Sequence, residues 1–318
     1  MKLEERIRPY VLPFAIVAGF ILHRPCHYVS CVMPFLIFMI LFFNYAAVDV
    51  RKIRFSMLDV WLMLFQIVVS LGSYLLLKLC GASEIVAQGV LGGVICPVAA
   101  AAVVVSCMLG ANRETVTAYT IVGNLMVAVV APIYFSFIGI NQDMPFFESF
   151  WMILRKLFPV IVLPFIAILL LQSISPKAAG VVRKYKGLSF YLWGVAFTIT
   201  MGQTIDYIFL HGEGNVASIV IIGIASIVYC IIQFAFGRWL GAKYGDRIAG
   251  GQLLGQKNSA FGIWMTNMYL VPLASVFPAL YSIWQNLFNS YQIWRHDRKI
   301  PGRILRHFRK SDRGNYVE

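Results

Sequence analysis

Long apolar stretches follow one another along most of the chain, and this pattern limits the fold more than any other feature. Of the 318 residues, 59% are hydrophobic and only 13% are charged. A soluble domain carries about 25% charged residues, so this chain has too little charge to cover a water-facing surface. Apolar runs of about 20 residues form α-helices in a bilayer, because helices satisfy their own backbone groups. The sequence therefore predicts an all-α integral membrane protein.

Ten apolar segments predict ten transmembrane helices. They lie at residues 9–24, 28–48, 56–79, 84–109, 114–139, 150–174, 188–210, 216–240, 247–268 and 271–294. Every connection is short, so no soluble domain is inserted between them. The fourth and ninth segments are interrupted by Pro, Gly or polar residues, which predicts a break in each of these two helices.

The distribution of Lys and Arg predicts the orientation in the membrane. With a cytoplasmic N-terminus, 22 of the 27 basic residues fall on cytoplasmic segments, four fall outside, and Lys257 lies within a span. This bias predicts a multi-pass protein of the cytoplasmic (inner) cell membrane with both termini in the cytoplasm. The net charge of +13 then comes from membrane-flanking loops and from a basic cytoplasmic tail at 295–318. Anionic lipid, rather than nucleic acid, is the partner that such a distribution favours.

The chain divides into two similar halves, at 1–145 and 146–294. In the fourth span of each half a Gly-Gly pair precedes an interruption: Gly92-Gly93 before Pro97, and Gly250-Gly251 before residues 255–259. Each half contains five predicted spans, and because five is an odd number the two halves have opposite orientations in the membrane. Interrupted helices at matching places in inverted repeats are typical of secondary transporters, in which they form the binding site near the bilayer midplane.

Three motifs together resemble the bile acid:sodium symporter family, which includes bacterial and plant organic-anion relatives. They are Cys96-Pro97, the run Gly-Gln-Lys-Asn-Ser at 255–259, and the run Pro-Ala-Leu-Tyr-Ser-Ile-Trp-Gln-Asn-Leu at 278–287. The resemblance covers most of the chain. It implies ten spans, crossing of the broken fourth and ninth helices, and sodium-coupled transport of an organic anion by alternating access.

The sequence departs from that family where sodium ligands are expected. The stretch after Pro97, at 98–103, offers no side-chain oxygen. The positions of a family glutamate and glutamine are occupied by Leu253 and Lys257. A family threonine is matched by Thr120, and a second family glutamine falls within one residue of Gln66. Hard cations prefer oxygen ligands, usually with carboxylate charge nearby. We therefore expect altered or lost sodium coupling; no cofactor is expected, and sodium stays possible although its ligands are largely missing.

Lys257 is the main candidate for the functional site. A lysine at the bilayer centre costs roughly 2.5–3.5 kcal/mol, even on the lenient insertion scale. Its ammonium could replace a sodium ion by holding the broken helices through carbonyl oxygens, or it could bind an anionic substrate. It could also lose its proton on burial and couple transport to protons. The other candidates for a substrate or cation site are polar residues of the same region: Gln66, Thr120, Asn124, Gln252, Gln256, Asn258 and Ser259.

Other classes of function fit the sequence less well. The five His residues lie at span ends or in the tail without metal-ligand spacing, and no phosphate-binding Gly-rich loop occurs, so an enzyme is not expected. The expected function is secondary transport of a bile-acid-like or smaller carboxylate or sulfonate, with no obligatory protein partner. Two alternatives stay open: a conventional sodium-coupled symporter, and a membrane sensor built on a transporter scaffold.

Overall fold

The computed structural model describes residues 3–46, 55–99, 101–140, 144–185 and 187–298. Within these ranges the regular structure is helical apart from one isolated antiparallel β-bridge. The α-helices are α1 (Leu3–Ile21), α2 (His23–Val29), α3 (Met33–Ala46), α4 (Met57–Leu79), α5 (Glu84–Ile95), α6 (Ala101–Met108), α7 (Arg113–Ile138), α8 (Phe146–Ile174), α9 (Pro176–Lys184), α10 (Leu188–His211), α11 (Val216–Lys243), α12 (Arg247–Gly255), α13 (Ser259–Tyr269) and α14 (Val276–Arg298). Two 3₁₀ turns, Ser30–Val32 and Pro272–Ser275, precede α3 and α14.

Five helical segments of the described residues are long and apolar enough to cross a membrane. They are His23–Ala46 (which includes α2 and α3), α4, α7, α8 and α11. Large apolar side chains are exposed along them, for example Leu76, Phe137 and Ile224. An all-α membrane protein is therefore confirmed. The predicted spans at 9–24, 188–210 and 271–294 are also helical, as α1, α10 and α14, but they are more polar.

Both predicted interruptions are present in the structure. Helix α5 ends at Ile95 and α6 begins at Ala101, whereas α12 ends at Gly255 and α13 begins at Ser259. The structure adds α9, which lies in the connection between the sixth and seventh predicted spans. This helix begins with Pro176, a residue that suits the first helical position because its missing N–H has no intrahelical partner there.

Helix starts are fixed by side chains that accept hydrogen bonds from the first free backbone N–H groups. Ser56 and Asp59 form a reciprocal capping box at α4, and Asn112 caps α7. Asp246 caps α12, where its Oδ1 accepts from the Ala249 N–H at 2.8 Å. The Oδ2 atom of Asp246 also accepts from the Asn112 N–H at 2.7 Å, so one carboxylate joins the starts of α7 and α12.

Helices α11 and α12 pack through glycine, which lets their backbones touch. A Cβ atom on Gly237 or Gly241 would overlap backbone atoms of Gly250 or its neighbours, and a Cβ on Gly250 would overlap the Gly237 carbonyl oxygen. Small residues allow this close approach between helices in a membrane. The contact fixes α12, and therefore the segment that follows it, against a long apolar helix.

Replacing Gly250 by Ala should lower the free energy of unfolding by about 1–3 kcal/mol, because an added methyl group forces the two backbones apart. Thermal unfolding of the purified protein in detergent measures the change. Gly72→Ala is the matched control. Gly72 lies on the exposed face of α4, and no described atom lies within 4 Å of the position that an alanine Cβ would occupy. Equal stability of the two variants would contradict the packing described for α11 and α12.

Candidate functional site at the crossing of two broken helices

The two helix interruptions lie side by side and hydrogen-bond to each other. Val98 and Lys257 form an antiparallel β-bridge. The Ala99 N–H donates to the Gln256 carbonyl at 3.1 Å, and the Asn258 N–H donates to the Pro97 carbonyl at 2.8 Å. We refer to residues 96–99 and 256–258 as the crossing.

Local sequence explains why the helices stop here. Pro97 has no N–H and disfavours helical geometry in the residue before it, and Cys96 is accordingly extended, with φ −48° and ψ 136°. Gly255 ends α12, and Gln256 is extended with ψ 111°. Asn258 then restarts the chain as the N-cap of α13, where its Oδ1 accepts from the Phe261 N–H at 3.4 Å. Both breaks are therefore encoded by residues adjacent to them.

Two side-chain amides hold the bridged residues from opposite sides. Asn124 of α7 accepts from the Val98 N–H at 3.0 Å, and Gln285 of α14 accepts from the Lys257 N–H at 2.7 Å. Gln285 also donates to the Lys257 carbonyl at 3.0 Å and to the Ser259 hydroxyl at 3.1 Å. Each amide thus comes from the second α-helix after the break, α7 for the first break and α14 for the second. This arrangement gives partners to both bridged N–H groups and to the Lys257 carbonyl in a buried setting.

Carbonyl groups at the ends of α5 and α12 also have protein donors. The Gln66 amide donates to the carbonyls of Ile95 and Cys96, both at 2.9 Å, and accepts from the Tyr119 hydroxyl at 3.1 Å. The Tyr281 hydroxyl donates to the Gly255 carbonyl at 2.8 Å. Helix C-terminal carbonyls attract cations. In this chain neutral N–H and O–H groups donate to three of these carbonyls.

The ammonium of Lys257 differs from its surroundings because nothing pairs with it. The residue is 2% exposed, and across the described ranges Nζ has no hydrogen-bond partner and joins no ion pair. The Cys96 thiol is close enough to interact with it electrostatically, but that thiol lies 3.2 Å from the Asn258 carbonyl and donates to it. The carboxylate of Asp206, in the predicted span at 188–210, lies 2.9 Å from His23 Nδ1 and 3.6 Å from His27 Nδ1. Lys257 therefore brings a buried amine to the crossing, and no described residue supplies a counter-charge to it.

The other predicted site residues are buried and use their side chains within the protein. Thr120 donates to the Val116 carbonyl of its own helix at 2.8 Å, and the second amide atom of Asn124 donates to the Tyr45 hydroxyl at 3.2 Å. Gln256 donates to Gln252, which donates to Gln292 at 3.3 Å. The structure brings Gln66, Asn124, Gln256, Asn258 and Ser259 together at the crossing, whereas the hydrogen bond of Thr120 stays within α7.

Sequence reasoning did not assign a role to Gln285, Tyr281 or Tyr119. Gln285 and Tyr281 lie in the motif at 278–287, four residues apart, which places them on the same face of α14. That spacing is the only signal in the sequence that could have identified them. Polar residues at helical spacing in an apolar segment point to a buried contact but do not identify its partner.

Comparison with known proteins gives no further assignment. No family model matches this sequence, and no curated protein matches it. Any function of the crossing must therefore be argued from its residues and geometry.

Replacing Gln285 by Leu should destabilise the protein by about 1–3 kcal/mol, because the buried Lys257 N–H loses its partner. The Lys257 carbonyl would keep only the long contact from the Ser259 hydroxyl at 3.5 Å. Thermal unfolding of the purified protein reports the loss. Asn286→Leu is the control on the next residue of α14, since among the described residues its amide donates only to the Ser282 carbonyl of the same helix. If Asn286→Leu costs as much as Gln285→Leu, the stabilising role given to Gln285 is wrong.

Proposed function

We propose that this protein is a secondary active transporter of organic anions, with Lys257 as the fixed positive charge of its substrate site. The observation that carries the proposal is the crossing of two interrupted helices, at which Lys257 is buried and no described residue supplies a counter-charge. Leaving a buried charge unpaired is strongly destabilising. A bound carboxylate or sulfonate would supply the missing negative charge.

The proposed architecture is ten spans in two inverted repeats, at 1–145 and 146–294, with the tail at 295–318 and both termini in the cytoplasm. Its support is the equivalent use of amides at the two breaks. Asn124 follows the first break and binds the Val98 N–H; Gln285 follows the second and binds the Lys257 N–H. Val98 and Lys257 are themselves bridge partners. A two-fold axis through the bridge would relate these pairs, as expected for inverted repeats.

Further unpaired polar atoms on α13 and α10 support a polar ligand. Trp264 Nε1 and both amide atoms of Asn267 have no hydrogen-bond partner among the described residues, and their i, i+3 spacing places them on one face of α13. Helix α10 packs against α13 and carries Gln203, whose Oε1 is also unpaired. Trp264 and Asn267 offer N–H donors of the kind that bind carboxylate or sulfonate oxygens.

The proposed coupling differs from the sodium coupling that the family resemblance implies. Gln66 donates to the Ile95 and Cys96 carbonyls, and Lys257 occupies the position of a family glutamine. A protein donor and a fixed positive charge both oppose binding of a cation at the same place. We therefore propose that sodium is not the driving ion.

Uptake of radiolabelled taurocholate or pyruvate into proteoliposomes should not change when sodium is replaced by choline at constant pH. Liposomes without protein provide the background. Loss of uptake in choline would identify a conventional sodium-coupled symporter and would contradict the proposed coupling. Absence of uptake of both anions under either condition would contradict transport of these anion classes and favour the sensor alternative.

Two substitutions at Lys257 test separately the loss of its charge and the gain of an oxygen that can bind a cation. Lys257→Met removes the charge, whereas Lys257→Gln also restores an amide oxygen that can bind a cation. Both variants should lose the stabilisation that taurocholate gives to the wild type, which is about 2.7 kcal/mol when the ligand is at 100 times its Kd.

Thermal unfolding in sodium chloride and in choline chloride completes the comparison of these variants. Only Lys257→Gln should gain stability from sodium, because only its side chain adds a cation ligand. A strong sodium response of the wild-type protein would show that Lys257 does not replace sodium. Undiminished stabilisation of Lys257→Met by taurocholate would show that the ammonium does not bind the anion.

A further inference from the structure

A groove at the C-terminal end of α11 combines an apolar wall with arginine side chains. Its volume is about 410 Å³, and it is lined by residues of α11, α12 and α14: Ile231, Ala235, Arg238, Trp239, Ala242, Arg247 and Phe288. Helix α11 is one of the segments that are long and apolar enough to cross a membrane. The groove therefore lies along a candidate membrane span, with its basic end at the end of that span.

The basic end of the groove has an excess of positive charge. The charges of Arg247 and Arg295 both act on the guanidinium of Arg238, and Lys243 Nζ lies 3.7 Å from the centre of the Trp239 ring. None of these four basic residues joins an ion pair with another described residue. The neighbouring carboxylate of Asp246 accepts from two backbone N–H groups, those of Ala249 and Asn112.

The rest of the groove is apolar and open. Ile231, Ala235, Trp239 and Ala242 follow one another at helical spacing on the exposed face of α11, and Trp239 is 53% exposed. Tryptophan is enriched where the hydrocarbon core of a membrane meets the headgroups. The groove thus changes from apolar to basic along the length of the helix. This order matches the acyl chain and the phosphate of a phospholipid.

We propose that this groove binds an anionic phospholipid, with the phosphate at Arg238 and Arg247 and an acyl chain along Ile231, Ala235 and Phe288. Arginine binds phosphate oxygens through several N–H groups at once. Basic pockets between helices at the cytoplasmic side bind lipid headgroups, and the Lys and Arg distribution predicts that side for this end of α11. A soluble phosphate would use only the basic end, whereas a lipid uses the whole groove. The proposal does not rest on the transport function.

A second groove provides an internal control. It measures about 530 Å³ and is lined by Phe147, Glu148, Trp151, Met152, Arg155 and Lys156 of α8. It also holds two basic residues beside a tryptophan, with the Arg155 guanidinium 5.3 Å from the Trp151 ring centre. Glu148 adds a negative charge to its lining, so its net charge is lower. We expect it to show no comparable preference for anionic lipid.

Native mass spectrometry of the full chain in detergent tests the proposal directly. The protein is titrated with phosphatidylglycerol or with phosphatidylcholine, and retained lipid is counted for each. The wild type should retain phosphatidylglycerol preferentially. The double variant Arg238→Gln/Arg247→Gln should bind it about 30-fold more weakly, because each lost basic residue near a membrane surface weakens binding several-fold. The matched variant Arg155→Gln/Lys156→Gln should bind it as the wild type does.

Several outcomes would overturn the proposal. They are equal retention of the two lipids by the wild type, an equal loss in the matched variant, and retention of phosphatidylglycerol that survives in the double variant. Displacement of phosphatidylglycerol by inorganic phosphate at equal concentration would instead assign the basic end to a soluble anion. If the mass spectra show dimers of the protein and no retained lipid, the groove is instead an interface with a second copy of the chain. Arg247→Gln alone, at an exposed position, should show a several-fold loss even if the double variant fails to fold.

Discussion

Backbone groups released by two helix breaks must find partners, and the fold meets this requirement by pairing the breaks with each other. Water is absent at the centre of a bilayer, so each unsatisfied N–H or C=O there costs several kcal/mol. The bridge between Val98 and Lys257 satisfies backbone groups of both segments at once. Side-chain amides of Asn124 and Gln285 satisfy the groups that face away from the bridge. Each break therefore supplies hydrogen-bond partners to backbone groups of the other.

The groups that stabilise the crossing are different from the group that could carry its charge, the Lys257 side chain. The hydrogen bonds that hold it come from backbone, amide, hydroxyl and thiol groups, and none of those in the described residues comes from the Lys257 side chain. The structure therefore does not support the hypothesis that the Lys257 ammonium holds the two broken helices together through carbonyl oxygens. An ammonium with no structural contact to maintain can exchange one anionic partner for another, which a transporter site requires.

The sequence predicted the positions of the breaks but not the contacts that stabilise them. Pro97 and the polar run at 255–259 act on their own backbone, so their effect can be read locally. The apolar runs likewise predicted where helices form. Gln285 lies 28 residues from Lys257, and Gln66 lies 29 residues from Ile95. Which buried amide meets which break depends on how the helices pack, and apolar periodicity does not encode it.

A chain of side-chain hydrogen bonds joins the crossing to the basic groove. Gln256 donates to Gln252, Gln252 donates to Gln292 at 3.3 Å, and Arg238 donates to the same Gln292 oxygen at 2.9 Å. A phosphate that drew the Arg238 guanidinium away would leave that oxygen to Gln252 alone and would strengthen the remaining bond. The chain of side chains reaches the crossing at Gln256, whose carbonyl accepts from the Ala99 N–H. A phosphate bound at the groove would therefore alter side-chain hydrogen bonds that end at a residue of the crossing.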